Sequence, residues 1–368
     1  MKENQLLLNL APVNMADQHN DVAVKKHIAY FLHNLRMMPA AYTETETNRM
    51  TLAFFSLGSL SLLGKLEETV SLKDRTDWIE WIYAQQVHPD SQNPSASQHL
   101  CGFKGSPWAG HVFDPLATST KSDPMDGASI PNTYTALANL LLLGDDLARV
   151  NKRAIIATLK SLQEDDGSFA PTYGSTERDV RFIFCACVIS HILDDWSGID
   201  VEKAVGFIRK SQSYEPAMGQ TPGEEAHGKC LYCKADQPAL TLMGKVNEGI
   251  IDKQGLIRWC LDRQTTGFHG RPNKDADTCY CFWIGGALEN LNAFELVNTD
   301  NLRSFLMSTQ TSRGGFGKDA ESPPDVLHSY MGLATLSLMK ESGLSEIDAA
   351  LNIPIAGVHQ LRKIHAQS

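Results

Sequence analysis

Residues 270–288, GRPNKDADTCYCFWIGGAL, place charged and thiol side chains directly before an apolar run. The reactive members are two cations, two carboxylates and two thiols, namely Arg271, Lys274, Asp275, Asp277, Cys279 and Cys281. Carboxylates and thiolates are metal ligands, and a pair of cations favours an anionic group. The stretch therefore predicts a site for a metal ion, an anion or both at the entrance of a buried helix.

A histidine from a later segment, His328, can complete a metal site with Asp277 and Cys279. Carboxylate, thiolate and imidazole are all accepted zinc ligands, and three protein ligands leave a fourth position open, as in catalytic zinc sites. The alternative is that Asp277 only caps the following helix and that Cys279 is a half-buried thiol. The spacing is compatible with both interpretations.

The side chains around this trio favour a diphosphate. Arg271 offers a planar fork, Lys274 a point charge, and His227 and Tyr280 neutral donors. The alternative is a solvated polar loop. We prefer the anion site because several aromatic residues of the apolar second helices and adjoining turns suit an oily ligand: Phe182, Phe184, Tyr232, Phe282 and Trp283.

A repeat organises the chain and explains how distant residues can meet. Gln163, Gln212, Gln264 and Gln310 recur at intervals of about 50 residues, a period typical of two-helix repeats. Each glutamine ends an amphipathic helix and precedes a glycine-containing turn and a more apolar helix. Because an apolar helix must be buried, the pattern predicts an all-α fold, an α/α toroid with inner and outer helix rings. We treat residues 1–368 as one domain, with repeats most evident over 70–345.

The register of the repeat predicts which residues converge. Arg181, His227, Cys279 and His328 follow their glutamines by roughly 15 to 18 residues, at the entrances of the inner helices. Equivalent positions in successive hairpins lie side by side at one end of a ring. We therefore expect Asp277, Cys279 and His328 to meet in space.

Composition limits the partners. The chain has 368 residues, 42% of them hydrophobic, and a net charge of −10 without a Lys/Arg-rich block, which argues against nucleic acid or an anionic membrane. No apolar run reaches the roughly 20 residues that span a bilayer, and the first residues lack a secretory signal. We expect a soluble, cytoplasmic protein whose eight cysteines are reduced.

Two other cysteine pairs carry weaker signals. Cys230 and Cys233 have C-x-x-C spacing without a second pair, so a zinc ribbon or redox pair is less favoured. Cys185 and Cys187 lie in an apolar helix and are expected in the core.

Long segments of the chain resemble the β subunits of protein prenyltransferases, in particular those of the type I geranylgeranyltransferases. The matching segments cover most of the chain and include YTETETNRMTLAFFSLGSL, DDLARVNK, RFIFCACVI, HGRPNKDADTCYCFW and GGFGKDAESPPDVLHSYMGLATLSL. The resemblance implies an α/α toroid that forms an obligate heterodimer with an α subunit. It also implies an enzyme that moves a geranylgeranyl group from geranylgeranyl diphosphate to the cysteine of C-terminal C-a-a-X proteins, such as small GTPases, often ending in Leu.

The resemblance assigns roles to matching positions. It implies one Zn²⁺ held by Asp277, Cys279 and His328, diphosphate contacts from His227, Arg271, Lys274 and Tyr280, an isoprenoid pocket at Thr51 and Phe55, and a peptide channel at Arg181 and Tyr134. Lys318 stands where farnesyl-transferring relatives carry an aspartate associated with Mg²⁺, which implies that Mg²⁺ is not required. Those relatives also carry a bulky Trp where Thr51 stands, and the small residue leaves room for a fourth isoprene unit.

The chain departs from the family at two places. Near His227 the sequence HGKCLYCKADQP has Lys229 in place of a glycine, and Pro238 predicts that the inner helix starts late, at Pro238 itself. Ser129 stands where the family usually has a histidine near the peptide site.

Three other functions remain as alternatives. A terpene cyclase would need an acidic motif such as D-x-D-D, and the sequence contains none. A farnesyltransferase-like β subunit would share most of the site. A non-catalytic toroid that binds a partner chain or a lipidated tail would not need the trio of Asp277, Cys279 and His328.

Overall fold

The computed structural model describes residues 21–90, 97–107, 127–228 and 236–367. In these ranges the chain forms fifteen α-helices, with three 3₁₀ segments and three small antiparallel pairs of strands.

The helices are α1 (Val24–Arg36), α2 (Arg49–Leu62), α3 (Leu66–Thr69), α4 (Leu72–Tyr83), α5 (Ile130–Leu142), α6 (Lys152–Leu162), α7 (Val180–Ile192), α8 (Val201–Lys210), α9 (Asp236–Met243), α10 (Val246–Gly249), α11 (Lys253–Leu261), α12 (Thr278–Asn290), α13 (Thr299–Thr309), α14 (Val326–Leu338) and α15 (Ile355–His365). The 3₁₀ segments are Ala40–Asn48, Gln98–Leu100 and Phe294–Leu296. The strand pairs are β1 (Gln86–Val87) with β2 (Gly102–Phe103), β3 (Phe316–Gly317) with β4 (Pro324–Asp325), and β5 (Ile347–Asp348) with β6 (Ile353–Pro354).

Six helices form a closed inner ring in the order α2, α5, α7, α9, α12 and α14, and α14 packs against α2. Nearly every residue of α5, α7, α12 and α14 is buried, as their apolar sequences require. Each inner helix follows an amphipathic outer helix, and α8 shows the pattern by burying Ala204, Val205, Phe207 and Ile208 while its charged residues face outward. The predicted α/α toroid is therefore confirmed.

The periodic glutamines clamp each hairpin to the next. The Gln163 side chain accepts a hydrogen bond from the Asp200 N–H at 2.7 Å and donates to the Asp200 carbonyl at 3.0 Å. Gln264 forms the same pair of bonds with Asn298, at 3.0 and 2.8 Å. Gln86 makes a related pair of bonds to two residues: it accepts from the Asn151 N–H at 2.7 Å and donates to the Arg149 carbonyl at 3.1 Å. The glutamines recur because each side-chain amide forms hydrogen bonds with the backbone N–H and carbonyl groups just before the next outer helix.

The last clamp closes the ring. Gln310 accepts from the Ala23 N–H at 2.8 Å and donates to the Asp21 carbonyl at 3.1 Å. The same Gln310 oxygen lies 2.8 Å from Nε2 of the buried His27, whose Nδ1 accepts from the Gly315 N–H at 2.9 Å. Because Nδ1 is an acceptor, His27 is neutral and its Nε2–H donates to Gln310.

The described part of the helix after His227 agrees with the expected late start near Pro238. Within the described residues it spans the 8 residues Asp236–Met243, beginning two residues before Pro238, whereas α7, α12 and α14 have 13 residues each. Pro238 lies in the first turn of α9, where a missing N–H removes no helical hydrogen bond. The pair Cys230 and Cys233, with Lys229 and Tyr232, lies outside the described residues.

Cys185 and Cys187 are buried in α7, as expected of core residues. Among the helices that the structure describes, none combines the length and the apolar character needed to cross a membrane.

We predict that His27 makes the protein sensitive to acid. Burial lowers the pKa of His27 to about 4 although the bond to Gln310 opposes this shift. The unfolded chain takes up this proton below pH about 6.5, whereas the native chain does so only near pH 4, so stability falls between these values by up to about 3 kcal/mol. His27→Gln should flatten the dependence of the unfolding midpoint on pH in this window.

The matched control is His33→Gln, a change of an exposed histidine on the same helix. It should keep the wild-type dependence on pH. A His27→Gln profile as steep as that of the wild type would contradict the prediction.

Candidate active site

The three side chains predicted from the sequence to be metal ligands meet at one end of the inner ring. Asp277 and Cys279 lie at the start of α12, and His328 lies in the first turn of the neighbouring α14. Their ligand atoms all lie within 4.8 Å of one another. Asp277 and Cys279 are 6% and 4% exposed. The predicted convergence is confirmed, and the cluster can hold a metal ion.

Asp277 also caps α12, so the two interpretations of this residue are compatible. Its Oδ1 accepts from the Cys279 N–H at 2.9 Å and lies 3.4 Å from Nε2 of His328. Burial favours the neutral acid, but the hydrogen bonds with His328 and Cys279 outweigh burial and hold the pKa of Asp277 below its usual range. Asp277 is therefore an anion, as a metal ligand must be.

Asp325 orients the histidine and was not anticipated from the sequence. It caps α14 by accepting from the His328 N–H at 2.9 Å, and its other oxygen lies 2.5 Å from Nδ1 of His328. A carboxylate at Nδ1 leaves Nε2 directed at a metal and increases the basicity of the ligand. The sequence signal that could have identified Asp325 is an acidic residue directly before an apolar helix, as at Asp277.

The protonation of His328 follows from these neighbours. Burial opposes a charge on the ring, but the hydrogen bonds with Asp277 and Asp325 outweigh it and raise the pKa of His328 to about 9. Without a metal the ring therefore carries a proton near neutral pH, and a bound metal ion would replace it.

The residues expected to bind the diphosphate lie in two neighbouring turns and in the first turn of α12. The Gly228 N–H donates to the Gly270 carbonyl at 2.7 Å, which ties the turn of His227 to the turn of Arg271. The Tyr280 hydroxyl lies 3.4 Å from Nε2 of His227. A Cβ at Gly270 would come within 2.2 Å of the Tyr280 ring, so only glycine permits this packing.

The two cations lie in the turn that precedes α12. Arg271 pairs with Glu225 at 3.1 Å and keeps 39% of its side chain exposed. Lys274 is exposed, and its N–H donates to the Arg271 carbonyl at 3.3 Å. Asn273 supplies the left-handed turn with φ of 59°. Both cations thus stand a few residues before Asp277 in the chain.

Lys318 approaches the cluster through its backbone. Its carbonyl accepts from the Thr278 N–H at 2.9 Å, directly beside Asp277, while its side chain is exposed. The fold therefore places an exposed ammonium group on the residue that adjoins the start of α12.

The two residues assigned to a peptide channel are held by other protein groups. Arg181 contacts both oxygens of Asp179, the cap of α7, at 3.0 and 2.9 Å, and pairs with Glu177. Tyr134 is 5% exposed, and its hydroxyl donates to the Leu351 carbonyl at 3.1 Å. Arg181 lies at the same end of the ring as the metal cluster, whereas the Tyr134 hydroxyl is directed at the C-terminal segment.

The two residues assigned to an isoprenoid pocket share one face of α2. Phe55 follows Thr51 by one helical turn, and its ring lies 5.7 Å from that of Tyr330 on α14. Both residues are partly exposed, whereas Phe54 is 1% exposed. The Thr51 hydroxyl donates to Oδ1 of Asn132 on α5 at 3.2 Å.

Comparisons with known proteins agree with this arrangement. The family model for the prenyltransferase alpha-alpha toroid domain matches residues 22–353. The geranylgeranyl transferase type-1 subunit beta of Dictyostelium discoideum is 38% identical over 335 residues, which cover 89% of this chain and 94% of the relative. The chain belongs to the family of type-1 geranylgeranyl transferase β subunits.

Two further comparisons support the assignment to this family. The Arabidopsis thaliana geranylgeranyl transferase type-1 subunit beta is 36% identical over 341 residues, covering 90% of this chain and 88% of the relative. The structure of Candida albicans protein geranylgeranyltransferase-I complexed with GGPP matches with a TM-score of 0.82 and 25% identity. The match covers 94% of this chain and 99% of that chain.

We predict that Cys279→Ala abolishes metal binding, because it removes the only thiol in the cluster. The matched control is Cys281→Ala, since the Cys281 thiol is buried and faces the Asp277 carbonyl at 3.5 Å instead of the cluster. Elemental analysis of the purified protein should find one metal ion per chain in the wild type and in the control. Full occupancy in Cys279→Ala, with circular dichroism unchanged, would show that Cys279 is not a required ligand.

Proposed function

We propose that this chain is the catalytic β subunit of a zinc-dependent protein geranylgeranyltransferase. It transfers the geranylgeranyl group of geranylgeranyl diphosphate to the cysteine thiol of proteins ending in C-a-a-X. The observation that carries the proposal is the convergence of Asp277, Cys279 and His328 beside the turns of His227 and Arg271. The type-1 relatives and the match to a structure that contains GGPP support the choice of donor.

Zinc is the metal that the donor set fits best. Thiolate and imidazole are ligands of zinc, whereas Mg²⁺ and Ca²⁺ prefer oxygen ligands. Asp277, Cys279 and His328 would hold the ion and leave one position for the substrate thiol. When bound, zinc lowers the pKa of that thiol so that it is a thiolate near neutral pH.

The remaining side chains act on the donor. The substrate sulfur forms a bond to C1 of the isoprenoid while the bond from C1 to oxygen breaks, and the diphosphate leaves with the electron pair. Arg271, Lys274, His227 and Tyr280 stabilise the charge that develops on the diphosphate. Arg181 and Tyr134 belong to the peptide channel in this proposal.

The isoprenoid extends into the apolar interior of the ring, against Thr51 and Phe55. Lys318 supplies positive charge to the diphosphate directly, so that Mg²⁺ is not required.

The catalytic unit is an obligate heterodimer with an α subunit and acts in the cytoplasm. Its protein substrates include small GTPases that end in C-a-a-Leu. The test is co-expression with a prenyltransferase α subunit and an assay with a Leu-ending peptide and geranylgeranyl diphosphate. We expect transfer by the heterodimer and none by the isolated chain. A zinc-loaded heterodimer that binds the donor without transferring it would contradict the proposal.

We predict that Thr51→Trp shifts donor preference toward farnesyl diphosphate, because the indole fills the space of the last isoprene unit. The ratio of kcat/KM for the long and short donors should fall by at least about tenfold. The control is Ala53→Leu on the same helix, which should leave the ratio unchanged. Ala53 borders an outward-facing cavity beside Trp78. Equal ratios in wild type and Thr51→Trp would place Thr51 away from the end of the isoprenoid.

We predict that Lys318→Asp slows transfer by at least about tenfold without Mg²⁺, since a positive charge near the diphosphate is lost. Millimolar Mg²⁺ should partly restore the mutant by binding the new carboxylate, while wild type stays independent of Mg²⁺. Lys318→Gln is the matched control, which should be slowed without being restored. Single-turnover transfer across a Mg²⁺ titration measures all three, and identical flat profiles would remove Lys318 from the reaction.

A further inference from the structure

A chain of side-chain hydrogen bonds joins the proposed isoprenoid pocket to the start of the next inner helix. Thr51 on α2 donates to Oδ1 of Asn132 on α5 at 3.2 Å. Nδ2 of Asn132 donates to Oγ of Ser129 at 2.9 Å. Ser129 is the cap of α5 and also accepts from the Asn132 N–H at 3.3 Å. One amide therefore connects Thr51 with the residue that stands near the proposed peptide site.

The side chain of Asn132 is buried. Asn132 is 7% exposed, and a Cβ at Gly105 would lie 2.9 Å from its Nδ2 and 1.8 Å from the Thr47 carbonyl oxygen. The Gly105 carbonyl accepts from the Met50 N–H at 2.9 Å, which fixes this backbone against the first turn of α2. A buried amide with both polar ends bonded costs free energy to displace, so its position is firmly determined.

The hydrogen bond from Thr51 to Asn132 constrains the orientation of the Thr51 side chain. Threonine is branched at Cβ, so a single rotation about χ1 exchanges its methyl and hydroxyl groups. The hydroxyl contacts two side chains of α5, Asn132 at 3.2 Å and Thr135 at 3.3 Å. With the hydroxyl held toward α5, the methyl group is directed away from that contact.

We propose that Asn132 is a positioning residue for donor selection. It holds the Thr51 hydroxyl against α5 and so presents a methyl group, instead of a polar oxygen, to the last isoprene unit. A hydroxyl turned into an apolar pocket without a partner would lose hydration and disfavour the longer donor. This inference rests on the proposed function and on the placement of Thr51 at the end of the isoprenoid.

The test uses the heterodimer and compares kcat/KM for the C20 and C15 diphosphate donors with one Leu-ending peptide. Asn132→Leu should lower the C20 to C15 ratio by about three- to tenfold, the effect of losing roughly one methyl contact. Thr51→Val should keep the wild-type ratio, because the valine rotamer that matches threonine keeps one methyl group in place and puts the second where the hydroxyl stood. Thr51→Val added to Asn132→Leu should restore the ratio, which a general packing defect would not allow.

Thr135→Val should lower the ratio less than Asn132→Leu does, because it removes only the longer of the two contacts to the Thr51 hydroxyl, at 3.3 Å. Asn132→Ser, too short to reach Thr51, serves as the second variant and should show the same loss if Asn132→Leu does not fold. An active variant with the wild-type ratio, or a loss that Thr51→Val does not restore, would overturn the inference. A wild-type heterodimer that transfers no isoprenoid would instead contradict the proposed function.

Discussion

The ring depends on the glutamine amide that ends each outer helix and bonds to the backbone where the next outer helix begins. The last of these, Gln310, reaches Ala23 across 287 positions of the chain and joins the final hairpin to the first. Isolated helices of 10 to 14 residues are marginal in water, so the apolar inner helices persist only when neighbours cover both sides. Closure supplies the last neighbour, because it brings α14 against α2.

Capping residues connect this architecture to the chemistry. Asp179, Asp277 and Asp325 each accept a backbone N–H at the start of an inner helix. Asp179 also holds Arg181. Asp277 contacts His328, and Asp325 orients the His328 ring. Helix N-termini carry partial positive charge, and several of them lie at this end of the ring. The capping carboxylates are therefore favoured at these helix starts.

The fold was predictable because it follows from a short sequence pattern that repeats along the chain. An amphipathic helix, a glutamine, a turn and an apolar helix recur, and burial of the apolar helix permits little else than an inner ring. The repeat also predicted the meeting of Asp277, Cys279 and His328, since equivalent positions of neighbouring hairpins are adjacent. At α9, Pro238 marked a late helix start, and the described helix begins two residues before it, at Asp236.

By itself the sequence determined the toroid, the three candidate metal ligands and the turn that carries Arg271 and Lys274, because each depends on residue type and spacing. Only the tertiary structure decided the partners of those residues. The bond of Asp325 to His328, the neutral tautomer of His27 and the contact of Thr51 with Asn132 join side chains without periodic signals. A hydrogen bond needs two groups within about 3 Å, and that distance is fixed only when separate helices pack.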